Sequence, residues 1–327
     1  MAAAPGRTRS ILVTGALGQI GTELVPALRR RYGDETVIAS DLRMLPAGAP
    51  PTGSHEHLDC TDLRQVAELV RRYDVGTIYH LAALLSAAAE AKPQVAWSLN
   101  MGSLYNVLEV ARQYRARVFF PTSIGAFGPT TPHVRTPQVT IQRPTTIYGI
   151  SKVAGELLCD YYAQRFGVDT RGLRLPGLIS HAAPPGGGTT DYAVEIFYQA
   201  LRYRHYSCFL AAGTRLDMMY MPDAIRGMIA LMEAASARLR FRNAYNATAM
   251  SVTPAEIADE IRKHIPQFAI DYHVDPVRQA IAESWPRSLD DTAARNDWGW
   301  SPEFDLAAMT EDMLERVGSK ISRVRNL

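Results

Sequence analysis

Residues 11–21 read Ile11-Leu12-Val13-Thr14-Gly15-Ala16-Leu17-Gly18-Gln19-Ile20-Gly21. The apolar run Ile11–Val13 is the length of a buried strand. It breaks into three glycines, and Glu23-Leu24-Val25-Pro26-Ala27-Leu28 then opens a helix. Strand, glycine turn and helix in this order predict the first βα unit of a dinucleotide-binding fold. Gly15 permits the tight turn, Gly18 lets a pyrophosphate approach the backbone, and Gly21 lets the helix pack closely on the strand. The helix N-terminus offers free N–H groups and partial positive charge to phosphates. The spacing is Gly-x-x-Gly-x-x-Gly rather than Gly-x-Gly-x-x-Gly. A triplet alone also fits a tight turn that binds nothing; the flanking strand and helix supply the context the motif needs.

The 327 residues, 47% hydrophobic and 21% charged, can build one large α/β unit with a smaller lobe. The reading divides the chain into a nucleotide-binding domain at 8–180 and a smaller substrate lobe at 181–327 that sends segments back to the first. A net charge of +2, with no long basic run, recommends neither nucleic acid nor an anionic membrane. Arg29-Arg30-Arg31 and Arg71-Arg72 each end a helical pattern, where cations suit the helix dipole. Three scattered cysteines form neither a zinc spacing nor a disulfide framework, so a reducing, cytoplasmic setting is expected. Residues 1–7 are too short and too polar for a signal peptide. The longest apolar stretch, near Ile78–Ala89, is too short to span a bilayer. No metal site is expected: His55-x-His57 lacks a further ligand at matching spacing.

Thr36–Ser40 reads as a second strand ended by Asp41. An acidic residue about twenty positions past the glycines is placed to accept hydrogen bonds from an adenosine ribose and to repel a 2′-phosphate. NAD is therefore expected over NADP, although Arg43 is of a type that accommodates that phosphate. Residues 44–55 form a Pro/Gly-rich surface loop. Asp59 and Cys60 fall where an adenine ring would rest. Thr77–Ala83 is a buried strand running into small residues, with His80 read as a core histidine. Pro93–Tyr114 is helical, Val118–Ser123 is a strand ending in the hydroxyls of Thr122 and Ser123, and Gly128–Arg143 is a loop. In the helix opening at Thr146, Ile150, Ala154, Leu157, Leu158 and Tyr161 form the expected apolar stripe. Tyr148 and Lys152, four apart, share another face. After the strand Arg171–Leu175, residues 182–190 suit either a linker or a mobile flap whose hydroxyls, Thr189 and Thr190, lead a helix beginning near Asp191.

These pieces, with Leu81-Ala82-Ala83 and the Asp290–Pro302 segment around Trp298-Gly299-Trp300, resemble the extended short-chain dehydrogenase/reductase superfamily over nearly the whole chain. Its fold is a Rossmann-type doubly wound parallel sheet with a smaller mixed C-terminal lobe. Further segments are similar to the short-chain family of L-threonine 3-dehydrogenases: 84–87, 143–149, 185–193, 213–216 and 282–286. The resemblance implies NAD-dependent oxidation of L-threonine at C3 to 2-amino-3-oxobutanoate, a homodimer and a role in amino-acid catabolism. It implies cofactor contacts from Gly15, Leu17, Gly18, Gln19, Ile20, Gly21, Asp41, Leu42, Arg43, Asp59, Cys60, Leu81, Ala82, Ala83, Asn100 and Leu178, together with Tyr148 and Lys152.

Tyrosine ionises near about pH 10. A lysine cation one turn away and a cationic nicotinamide ring favour the tyrosinate. Tyr148 is then expected to take the proton of the C3 hydroxyl, and Lys152 to lower its pKa and hydrogen-bond the nicotinamide ribose. Ser123, or its neighbour Thr122, holds the substrate oxygen. Ser86, Thr189, Thr190 and Trp285 complete the expected substrate site, with a flap hinged at Gly186-Gly187-Gly188. Two other readings stand beside this one. Nucleotide-sugar epimerases or dehydratases usually place an Arg directly before the Asp of an Arg-Asp-aromatic segment; here Leu216 precedes Asp217 and Arg215 is one place off. A non-enzymatic NAD sensor would be expected to lack Tyr148 or Lys152, and this chain has both.

Overall fold

The structure, a computed structural model, describes residues 9–45, 53–183 and 188–325. Residues 1–8, most of the 44–55 loop, and Gly186 and Gly187 of the expected hinge lie outside the described residues. The first half alternates β1 (Ser10–Thr14), α1 (Gly21–Tyr32), β2 (Val37–Asp41), β3 (His55–His57), α2 (Leu63–Arg72), β4 (Val75–His80), α3 (Ser86–Ala91), α4 (Pro93–Tyr114), β5 (Arg117–Ser123), α5 (Ile147–Phe166), β6 (Thr170–Leu175) and β7 (Gly177–Ile179). The second half runs α6 (Tyr192–Tyr203), β8 (His205–Cys208), β9 (Leu216–Tyr220), α7 (Met221–Glu233), β10 (Tyr245–Asn246), β11 (Met250–Val252), α8 (Pro254–His264), β12 (Ala269–Tyr272), α9 (Pro276–Glu283), α10 (Thr292–Trp298) and α11 (Leu306–Arg325).

Seven parallel strands form the main sheet in the order β10-β6-β5-β4-β1-β2-β3. The order reverses between β1 and β4, and in open α/β sheets that switch point is where ligands bind. One face packs Val13, Leu24, Leu28, Phe119 and Met228 between the sheet and helices α1 and α7. The other packs Leu12, Ile78, Val107, Leu108, Phe120 and Cys159 against α2, α4 and α5. A further core around Phe197, Leu216, Met218, Trp285 and Met309 carries the smaller sheets β11-β9-β7 and β12-β8.

The glycine turn explains its own composition. Gly15 has φ +67°, and a Cβ there would lie 2.8 Å from the Ala82 nitrogen. A Cβ on Gly21 would lie 2.5 Å from the Ala16 carbonyl oxygen. Both are impossible contacts, so β1, the turn and the end of β4 close up only with glycine at these places.

Helix α5 corrects the sequence reading. Ile150, Leu157 and Tyr161 of the expected apolar stripe are exposed, Leu157 to 64%. The buried face instead carries Tyr148, Gly149, Ser151, Lys152, Gly155, Glu156, Cys159 and Tyr162. The polar members of that face have internal partners, which lets them displace apolar residues from the interior. His80 is, as expected, a satisfied core histidine. It hydrogen-bonds Thr14 Oγ1 through Nδ1 (2.9 Å) and Ser103 Oγ through Nε2 (3.1 Å), and burial lowers its pKa to about 3. Among the described residues, Cys60, Cys159 and Cys208 are free and buried, and no helix is long and apolar enough to cross a membrane.

Candidate active site

The carboxyl ends of β1, β4 and β5 and the start of β7 open on one cleft. Its cavity of about 190 Å³ is walled by Gly15, Gly18, Gln19, Ile20 and Gly21 of the turn and by Leu81 and Ala83 after β4. Ser123 and Tyr148 line it as well, together with Ser86, Leu178, Thr189, Thr190 and Trp285. Sequence positions from 15 to 285 thus meet in one place. Leu85, Ile124, Pro176, Gly177 and Asp191 also line it and were not foreseen. The turn dipeptide Pro176-Gly177 straight after a strand was the signal available for two of them. A larger open groove of about 1030 Å³ lies between α1, α7 and the α11 residue Arg316, and contains none of the glycine-turn cleft, Tyr148 or Lys152.

The start of α5 places Tyr148 and Lys152. The Thr146 side chain caps the helix by accepting from the Gly149 N–H (3.1 Å). Tyr148 follows, buried and hydrogen-bonded to Ser123, whose Oγ also accepts from the Gly125 N–H (3.1 Å). Burial holds the Tyr148 phenol above its ordinary pKa, and the Ser123 contact offsets only part of that. The expected lowering by Lys152 does not govern the phenol here. The Lys152 ammonium donates to the Pro121 carbonyl (2.7 Å) and sits 4.6 Å from the Phe120 ring centroid and 5.4 Å from that of Tyr148. Burial lowers its pKa to about 8, against the raising effect of Glu156. Of the two expected hydroxyls, only Ser123 faces the cleft: Thr122 is buried and donates to Glu156 Oε1 (2.6 Å).

On the cofactor side, Asp41 ends β2 and accepts from the Leu17 N–H (3.0 Å). It also accepts from the Arg43 backbone N–H (3.0 Å) and from the Arg43 guanidinium at 3.0 and 3.2 Å. Burial pushes the Asp41 carboxyl up, but the Arg43 and Leu17 hydrogen bonds outweigh it and the net shift is downward. Asp41 and Arg43, read from sequence as opposing signals, are thus an ion pair. Leu42 between them is exposed. Asn100 brackets Leu84, accepting from its N–H (2.8 Å) and donating to its carbonyl (3.2 Å), and so fixes the chain leaving β4. The Ala82 N–H reaches Thr14 Oγ1 (3.4 Å). Cys60 is buried, while the Asp59 carboxylate is held by Thr61. Two buried polar atoms of the cleft residues, Gln19 Nε2 and Thr189 Oγ1, have no protein partner. Orphaned donors on a glycine-turn cleft suit a polar ligand, and Asp41 stands at the adjacent strand end for a ribose.

Residues 11–247 match the family model described as the NAD dependent epimerase/dehydratase family. The chain belongs to this family. Its cofactor is NAD. Among curated relatives, an uncharacterized epimerase/dehydratase of Staphylococcus aureus (strain USA300) is 56% identical over 95% of this chain and 98% of its own. Among solved structures, L-threonine dehydrogenase from Clostridium difficile is 55% identical with TM-score 0.93, covering 95% of this chain and 98% of that one. The holo form of a GalE-like L-threonine dehydrogenase from Cupriavidus necator is 54% identical with TM-score 0.91, covering 94% and 99%.

Proposed function

We propose that this NAD-dependent enzyme oxidises L-threonine at C3 to 2-amino-3-oxobutanoate, as a step in amino-acid catabolism. The observation that carries the reading is that one small cavity joins Ser123 and Tyr148 to Ser86, Thr189 and Trp285. The first pair suits a secondary alcohol, and the second group suits a small polar molecule with a methyl side. Full-length similarity to L-threonine dehydrogenases supports it. Residues 8–180 act as the nucleotide domain and 181–327 as the substrate lobe. The free buried thiols suit a cytoplasmic setting.

NAD, when bound, supplies the hydride acceptor on a cationic ring. The glycine turn would hold its phosphates, Asp41 its adenosine ribose, and Leu81–Ala83 and Leu178 its flanks. Ser123 orients the substrate C3 oxygen and Tyr148 takes its proton. Lys152 supplies the positive charge that favours the phenolate, and its bond to Pro121 keeps it beside Tyr148. Trp285 and the buried Thr189 keep water from the reacting carbon.

NADH formation assayed across L-threonine and other 2-amino-3-hydroxy acids, with product analysis for nucleotide-sugars, whose epimerisation or dehydration is redox-neutral, tests the reading. Turnover is expected with L-threonine. Conversion of a nucleotide-sugar without it would move the chain to the epimerase reading. Arg215, the residue nearest to that reading's diphosphate-binding Arg, is committed to the Ser251 carbonyl (2.6 Å) and Glu256.

The chain is proposed to act as a homodimer through α4 and α5. Trp97, Tyr105, Ile150, Leu157, Tyr161 and Phe166 are exposed there, and edge-to-face contacts through Tyr162 join Tyr105 to Tyr161. Exposed apolar patches of this kind mark interaction surfaces. Sedimentation should give a dimer that Leu157→Glu splits; a monomeric parent chain refutes it.

A further inference from the structure

Three residues of α5 at successive spacings of four are buried on one face: Tyr148, Lys152 and Glu156. Each engages one of three consecutive residues at the end of β5. Tyr148 bonds the Ser123 hydroxyl, Lys152 donates to the Pro121 carbonyl, and Glu156 Oε1 accepts from the Thr122 hydroxyl. Spacing of four on a helix stacks side chains one turn apart, so Glu156 continues the stripe of the catalytic pair. It is held from the far side by β6. Arg174 donates to both carboxylate oxygens through Nε (3.1 and 3.3 Å) and to Oε2 through its terminal nitrogen (2.8 Å). Gln142 adds a bond to Oε2 (3.1 Å). Arg174 is itself fixed by the Gln138 carbonyl (2.8 Å) and Asn246 Oδ1 (3.2 Å). The two side chains are 8% and 5% exposed.

We infer that Glu156, clamped by Arg174, is a positioning residue for the Tyr148–Lys152 pair. It fixes the register of α5 on the end of β5, and its charge keeps the proton on Lys152. The inference rests on the reading of Tyr148 as the proton acceptor. A buried ion pair is weak evidence for stability, since apolar side chains of the same volume often serve as well. Its value here lies in where the charge stands. The groups facing Lys152 are Glu156 and Cys159 on α5, Tyr148 on the same helix and His80 on β4. Arg174 is the cation against Glu156. His80 is bonded to neutral hydroxyls and Cys159 is a buried thiol whose pKa burial raises. The carboxylate of Glu156 is therefore the negative charge that raises the proton affinity of Lys152, and the lysine cation it keeps favours the Tyr148 phenolate.

The test separates charge from register. The readout for charge is the tyrosinate absorbance titration of the NAD-saturated chain, each variant measured against the same variant carrying Tyr148→Phe. Glu156→Gln removes the negative charge, lets Lys152 lose its proton more readily and so should move the Tyr148 titration toward alkaline pH by about one pH unit or more, the scale for loss of the lysine cation one turn away in a buried site. Glu156→Gln with Arg174→Met removes both charges and should bring the titration back toward the parent. Glu156→Asp keeps the charge but is one methylene short of Thr122. It should leave the titration in place and lower turnover about tenfold or more, with little change in KM. Thr122→Val should do the same. A Glu156→Gln titration matching the parent, or parental turnover in both Glu156→Asp and Thr122→Val, overturns the inference. If Glu156→Gln does not fold, the double variant and Glu156→Asp still decide it: a double-variant titration displaced from the parent, or one displaced by Glu156→Asp, overturns it as well. The absorbance titration needs no amino-acid substrate. A parent chain inert toward L-threonine but showing these shifts would sink the substrate reading and leave the positioning role standing.

Discussion

Asp217→Asn should change how stability depends on pH. Asp217 lies in β9 with its side chain fully buried. Oδ1 accepts from Thr248 Oγ1 (2.6 Å) and Oδ2 from the Leu289 N–H (2.8 Å). Burial raises its pKa to about 8; the hydrogen bonds from Thr248 and the Leu289 N–H oppose this, and the nearby Asp291 adds to it. An unfolded aspartate titrates near about 3.9. The folded state therefore holds the proton more tightly, so the contribution is fully present below about pH 4 and is lost as pH rises toward about 8. Integrated between about pH 5 and pH 9, the loss is on the order of 4 kcal/mol. Asparagine mimics the protonated carboxyl: its oxygen can accept from Leu289 and its amide can donate to Thr248. The variant should match the parent near pH 5 and exceed it increasingly toward pH 9. Urea midpoints for both chains at about pH 5, 7 and 9 measure this directly. Parallel curves, or a variant that loses ground as pH rises, would refute the argument that Asp217 is buried in its neutral form.

Three further outcomes follow from the site. Tyr148→Phe keeps the ring and removes the ionisable oxygen; turnover should fall by about a hundredfold or more while NAD titration stays close to the parent, and near-parental rates would remove Tyr148 as the base. Asp41→Ala should relax the choice of NAD over NADP by about tenfold or more, because it removes the ribose acceptor and releases Arg43 to meet a 2′-phosphate; an unchanged ratio of kcat/KM for the two cofactors counts against it. Thr189→Ala and Trp285→Ala should raise KM for L-threonine by about tenfold while leaving KM for NAD nearly unchanged; equal effects on both constants would mean that these residues only pack the lobe.

Much of the first half was legible because its signals are local. The glycine turn, the acidic residue at the end of β2 and the strand endings each announce themselves within a few residues. The sheet order then brings β1, β4 and β5 together without further instruction. What stayed hidden depends on side chains distant in sequence. Thr122 and Ser123 are equivalent as a Thr-Ser pair, and only the pleat decides between them. Phe120 and Thr122 alternate toward α5, whereas Ser123 ends the strand at the cleft. Asp41 and Arg43 looked like competing signals for two cofactors, and their pairing depends on how the chain turns after β2.

Helix α5 shows why hydrophobic periodicity misleads at such a place. The rule that the apolar stripe faces inward assumes that burying a polar group leaves it unsatisfied. On α5 that assumption fails at each polar position in turn. Tyr148 has Ser123, Ser151 donates to the Tyr148 carbonyl, Lys152 has Pro121 and Glu156 has Arg174 with Thr122. Gly149 and Gly155 leave room for the close approach: a Cβ on Gly155 would meet the Phe120 ring at 2.6 Å. The helix can therefore turn its polar residues to the sheet and its Ile150, Leu157 and Tyr161 outward. An outward apolar stripe on a helix is stable only if something covers it or the stripe is small. The same inversion that buries Tyr148, Lys152 and Glu156 thus creates the surface proposed to join two copies of the chain. A substitution that restores ordinary polarity outside, such as Leu157→Glu, should spare the internal pairs and act on association alone.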